Sequence, residues 1–122
     1  NNGWRKNIYS FPPIGTADSG AYTTVYDLDK FLCAIKSIEI YRKMLIPQTE
    51  IKRGNTKYGF AFEFIEKDND IIKIYKDGSN YGVSNIFAYY PNQDITVVIL
   101  ANQDCNVWKL EYKIMNVLTQ SI

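Results

Sequence analysis

The sequence predicts an α+β fold: two N-terminal helices, an antiparallel sheet of about four strands, and a C-terminal helix packed on that sheet. Apolar residues recur at helical spacing between 24 and 45, at a period of two from 60 to 101, and at helical spacing again after Asn106. With 122 residues, 46% of them hydrophobic, the chain buries roughly two-thirds of its unfolded surface, enough for one core. One domain over 1–122 is the expectation.

Residues 1–19 are punctuated by Gly3, Pro12, Pro13 and Gly15, so they read as an ordered loop pinned by Trp4, Tyr9 and Phe11. Thr24 then supplies an N-cap oxygen with Asp27 three residues on. Val25, Leu28, Phe31, Leu32 and Ile35 follow at helical spacing, which gives a helix over 25–36. Ser37 is the expected cap of a second, shorter helix through Ile38, Tyr41, Met44 and Leu45, and Pro47 ends it because proline lacks the amide donor. Arg53-Gly54-Asn55 reads as a turn.

Beyond it the period becomes two. Phe60, Phe62 and Phe64 alternate with Ala61, Glu63 and Ile65, which predicts a strand with three aromatics on one face. Lys67-Asp68-Asn69-Asp70 turns the chain into a second strand carrying Ile71, Ile72, Ile74 and Tyr75. A third strand over 84–90 turns at Pro91-Asn92-Gln93-Asp94 into a fourth over 95–101, whose near-continuous apolar run implies cover on both faces. Asn106 caps the last helix, where Val107, Leu110, Ile114 and Leu118 form the expected sheet-facing stripe, flanked by Trp108 and Met115.

Composition removes several kinds of chemistry. A net charge of +1 from 14 basic and 13 acidic residues, with no basic block, gives no footprint for nucleic acid. No apolar run approaches the length that spans a bilayer. Zero histidines exclude a Ser-His-Asp or Cys-His arrangement within these residues. Cys33 and Cys105 have no metal-ligand spacing, so neither metal nor cofactor is expected, and both read as buried free thiols. The ten tyrosines and six phenylalanines fall mostly on amphipathic spacing, as core residues rather than a stacking platform.

Three blocks in order carry a family resemblance. The first is Ala17-Asp18-Ser19-Gly20-Ala21-Tyr22-Thr23-Thr24-Val25-Tyr26-Asp27-Leu28, leading to Phe31. The second is Tyr58-Gly59-Phe60-Ala61-Phe62. The third is Lys76-Asp77-Gly78-Ser79-Asn80-Tyr81-Gly82, followed by Phe87-Ala88-Tyr89-Tyr90 and Val97-Val98-Ile99-Leu100-Ala101-Asn102. From Thr16 to Leu118 the chain resembles the C-terminal part of the serine β-lactamase and penicillin-binding-protein superfamily, in the branch of class C β-lactamases, D-alanyl-D-alanine carboxypeptidases and related esterases. Ala61 stands where that family usually has a second glycine.

The resemblance implies a serine hydrolase acting on D-amino-acid peptide, β-lactam or ester substrates, in the bacterial cell envelope or outside the cell. It makes Lys76 the cation of the third motif, Asp77 its variable middle residue, Gly78 the residue against which the substrate backbone lies, and the Ser79 amide one oxyanion donor. Asp77 departs from the commoner threonine or serine, and an acid there is expected to draw off the charge of Lys76.

The nucleophile's motif is missing. No Ser-x-x-Lys occurs in these residues, and Ser79 has neither a lysine three residues on nor a histidine. Thr49-Glu50-Ile51-Lys52 follows Pro47 instead of opening a helix, and Tyr90-Pro91-Asn92 matches the family's Tyr-x-Asn by spacing alone. The chain therefore reads as a fragment whose partner is the N-terminal part of the same protein, inactive alone and expected to form a homodimer through an unpaired sheet edge. Residues 24–45 form the helical part and 58–122 the sheet with its C-terminal helix, and the strands from Phe60 to Ala101 with the helix from Val107 are expected to be the stable unit. The alternatives from the residues are a non-catalytic module that binds an extended peptide by strand addition, or a small sensor domain in which Lys76 is a solvated charge and Asp77-Gly78 a turn dipeptide.

Overall fold

The computed structural model describes residues 19–50 and 54–120, together with Gly3, Gly15 and Thr16. The expected anchors Trp4, Tyr9 and Phe11, residues Ala17 and Asp18 of the first block, and Ile51 to Arg53 lie outside the described residues. Helix α1 (Val25–Ser37) leads through a 3-10 helix (Glu39–Leu45) into five strands: β1 (Thr56–Tyr58), β2 (Glu63–Lys67), β3 (Asp70–Asn80), β4 (Val83–Tyr90) and β5 (Ile95–Ala101). Helix α2 (Val107–Gln120) closes the described part. The strands pair antiparallel in sequence order, β1-β2-β3-β4-β5.

Alternation along the strands sorts the sheet into two faces. On one, Phe64, Ile74, Phe87 and Tyr89 pack with Phe62 and with Leu32 and Ile35 of α1. On the other, Tyr75, Ile86 and Ala88 pack with Val107 of α2. The fold is three layers with the sheet in the middle. Leu32 and Ile35 are buried in the same core as Phe64, so α1 packs directly on the sheet.

Local signals act where sequence places them. Thr24 Oγ1 accepts from the Asp27 amide at 3.2 Å and donates to the Asp27 carboxylate at 2.9 Å, a reciprocal cap on α1. Asn106 Oδ1 accepts from the Lys109 amide at 2.9 Å, capping α2. Asp68 and Asn69, at φ +52° and +69°, form the two-residue turn between β2 and β3, where primed turns need left-handed backbone.

Other elements differ from expectation for identifiable reasons. Ser37 closes α1 instead of opening the next helix, since its hydroxyl donates to the Cys33 carbonyl at 2.6 Å and the 3-10 segment has no side-chain cap. Phe60 is 57% exposed because the backbone bends before β2, which starts only at Glu63. On α2 the inner face is Val107, Glu111 and Met115; Leu110 and Leu118, placed inward by the apolar stripe, are 46% and 40% exposed. Cys33 and Cys105 are exposed free thiols, the first rotated outward by the inward set of Leu32 and Ile35. Among the aromatics, Phe62, Phe64, Tyr75, Phe87 and Tyr89 are core, whereas Tyr22, Tyr26, Tyr81 and Tyr112 lie largely on the surface.

The bend at Phe60 carries one strained residue. Ala61 sits at φ +66°, a left-handed conformation that costs an L-residue with a Cβ about 1–2 kcal/mol and glycine nothing. This gives a physical reason for the glycine expected at that position. Ala61→Gly is expected to stabilise the chain by about 1 kcal/mol, part of the gain being offset by the extra freedom of glycine in the unfolded state. A rise in the urea midpoint at constant slope checks it.

Candidate active-site edge

The eleven-residue strand β3 is paired differently in its two halves. Its first half lies between neighbours, with β2 reaching as far as Glu63 opposite Tyr75. Its second half, from Lys76 to Asn80, pairs with β4 from Phe87 to Val83 on one side, and among the described residues no strand pairs with it on the other. Only Tyr81 and Gly82 separate β3 from β4, with Gly82 at φ +71°. A two-residue loop makes its flanking pair, Asn80 and Val83, a hydrogen-bonded pair, and the bonding alternates from there. Gly78 and Lys76 therefore bond to β4, while the amides and carbonyls of Asp77 and Ser79 face the open side.

Side chains alternate too. Lys76 and Gly78 project from the α1 face, and Asp77 and Ser79 from the α2 face. A Cβ on Gly78 would stand 3.4 Å from the Asn85 amide group, ordinary contact, so internal packing does not require a glycine here. Asp77 does not pair with Lys76, contrary to expectation: its carboxylate accepts from the Trp108 indole nitrogen at 2.8 Å. Lys76 instead donates to Glu63 Oε1 at 3.1 Å.

Glu63 was not singled out by sequence, where it is one polar residue in an alternating strand. Its other oxygen, Oε2, accepts from the Tyr75 hydroxyl at 3.0 Å. Burial, reinforced by the Glu63 carboxylate, pushes the Tyr75 phenol up to about 12, so Tyr75 is a permanent donor to Glu63 at neutral pH. Tyr75 and Lys76 leave β3 on opposite faces and both end on Glu63, which sets this carboxylate at the rim where β2 stops.

Behind the edge, Trp108 packs edge-on against Tyr75 with ring centroids 4.9 Å apart. Lys73 lies beneath it, 4.4 Å from the indole centroid, and pairs with Glu111 Oε2 at 2.9 Å. Tyr90 donates to Glu111 Oε1; burial first, then this bond, hold its phenol far above the usual tyrosine range. Asp77, Gly78, Ser79, Ser84, Cys105, Asn106, Val107 and Trp108 line a shallow cleft of about 450 Å³ beside the edge. The turn is anchored from α2's approach: the Gly82 amide donates to Asp104 Oδ1 at 3.0 Å and the Cys105 amide to Ser84 Oγ at 3.1 Å.

This architecture has a close counterpart. The crystal structure of a penicillin-binding protein from Bacillus halodurans superposes with a TM-score of 0.85 at 31% sequence identity, over 94% of this chain. The chain belongs to the penicillin-binding-protein and serine β-lactamase superfamily. It spans 37% of the length of that penicillin-binding protein. No protein-family profile and no curated sequence matches it.

Proposed function

We propose that this chain is the substrate-binding part of a serine hydrolase of the penicillin-recognising kind, whose full-length form acts on D-amino-acid peptides, β-lactams or esters. The observation that carries the reading is the unpaired half of β3. An extended acyl substrate laid along it meets the outward carbonyls and amides of Asp77 and Ser79, and Gly78 keeps its approach clear. In this reading the Ser79 amide is an oxyanion donor and Lys76 the third-motif cation, and Asp77, turned back onto Trp108, leaves only its backbone on the substrate side.

In this reading the chain by itself supplies no activated hydroxyl at the edge, since no Ser-x-x-Lys occurs in its sequence. Ser79 has no lysine or histidine partner in the motif, and Ser84 is buried and already accepts from the Cys105 amide. Bound acyl groups therefore find a surface but no nucleophile. Intact-mass spectrometry after incubation with a fluorescent penicillin or an activated phosphonate is expected to show unchanged protein. A stoichiometric adduct on Ser79 or Ser84 would contradict this.

One observation favours a second reading, an assembly module using a sheet edge. The β1 edge is three residues long, with Lys57 paired to Glu66, the short and charged form that discourages pairing. The β5 edge, Ile95–Ala101, carries no charge over seven residues. Its sequence is that of an interior strand. Two copies pairing β5 antiparallel would satisfy both edges in a two-fold homodimer, and light scattering over a concentration series distinguishes that dimer from a monomer.

A further inference from the structure

We propose that the open β3 edge disfavours substrates carrying a free carboxylate and takes their ester or amide forms, and that Glu63 sets this preference. The inference rests on the reading of β3 as a substrate strand. A cation at Lys76 would attract a substrate carboxylate, but its ammonium is engaged by Glu63 Oε1 at 3.1 Å. The Lys76 side chain is 56% exposed, whereas that of Glu63 is only 20% exposed. Glu63 is itself held by the buried Tyr75 hydroxyl through its second oxygen, so the carboxylate remains at the rim even when Lys76 swings away.

The rest of the rim adds to the same sign. Asp77 belongs to the strand, with its carboxylate fixed by Trp108, and Asp104 is fixed at the turn by the Gly82 amide. On the strand itself the described contacts place one cation, Lys76, beside two carboxylates, Glu63 and Asp77. A ligand carboxylate laid along Asp77 to Ser79 meets net negative charge from these three groups. A neutral ester or amide meets only the backbone donors and acceptors, so affinity is set by strand pairing and not by charge.

The test is a chemical-shift titration of the chain with N-acetyl-D-alanyl-D-alanine and with its methyl ester, followed at the Asp77 and Ser79 amides. The ester is expected to bind the tighter of the two. Added salt separates the causes without any mutation: relief of repulsion strengthens binding of the acid, whereas screening of a cation attraction would weaken it. Glu63→Gln is expected to tighten the acid about fivefold, the effect of removing one nearby charge in water, and to leave the ester unchanged. A wild-type preference for the acid that salt abolishes would overturn the proposal and leave the substrate-strand reading intact. If neither probe moves the Asp77 and Ser79 amides, the substrate-strand reading itself fails, and this proposal with it.

Discussion

Replacing Glu111 by alanine is expected to destabilise the chain by about 3–5 kcal/mol, the range found when one partner of a buried ion pair is removed. Lys73 and Glu111 are both buried, their side chains 7% and 3% exposed. Without the carboxylate, the Lys73 ammonium is left under the Trp108 ring with aromatic faces as its remaining company, and Tyr90 loses its acceptor. Cation–π attraction of about 2 kcal/mol does not offset an unpaired buried charge. The triple variant Lys73→Met, Tyr90→Phe, Glu111→Leu removes charge and partners together. It is expected to lie within about 2 kcal/mol of the parent, because the pair's attraction largely offsets its own desolvation. Urea unfolding of both variants separates this account from simple loss of helix contacts, which would make the triple variant the worse of the two.

Phe64→Ala is expected to cost about 3–5 kcal/mol, a large share of the roughly 5–15 kcal/mol that holds a domain folded. Phe64 is wholly buried at the centre of the core shared by α1 and the sheet. Its ring also fills the space beside Gly59, where an added Cβ would stand 2.7 Å from Phe64 Cε2 and 2.9 Å from the Ile46 carbonyl oxygen. The ring thus couples the bend before β2 to the loop after the 3-10 helix, and truncation leaves a cavity that two rigid backbones cannot close. Phe64→Leu fills most of that volume and is expected to lose less than half as much. Equal losses in the two variants would show that the site collapses freely.

Short-range signals were the legible ones. Thr24 with Asp27, and Asn106 before an apolar run, fix helix starts through bonds made within three residues, and the 91–94 turn carries its own chemistry. The rotation of α2 was not legible. Leu110 and Leu118 make the stronger apolar stripe, but Glu111 faces inward because Lys73, 38 positions away, and Tyr90 meet it across the sheet. Phe60 fits the strand alternation, yet Ala61 breaks it with a left-handed backbone that alanine does not announce. The same limit applies at the candidate site. The tripeptide Lys76-Asp77-Gly78 was found by its family pattern, and the structure supplies what the pattern omits: Lys76 turns to Glu63 and Asp77 to Trp108. Glu63 has no local signature, since its role arises only where β2 ends opposite Tyr75.

In the proposed function Lys76 to Asn80 form a strand open on one side, which presents the backbone of Asp77 and Ser79 to an extended acyl substrate. Residue-resolved amide hydrogen exchange tests it most directly, because pairing on one side alone leaves every second amide without a strand partner. The expected result is alternation, with Lys76, Gly78 and Asn80 exchanging slowly alongside β4, and Asp77 and Ser79 exchanging fast. Protection of Asp77 and Ser79 equal to that of Lys76 and Gly78 would mean that the edge is already occupied, and would contradict the assignment of this strand as a substrate-binding edge.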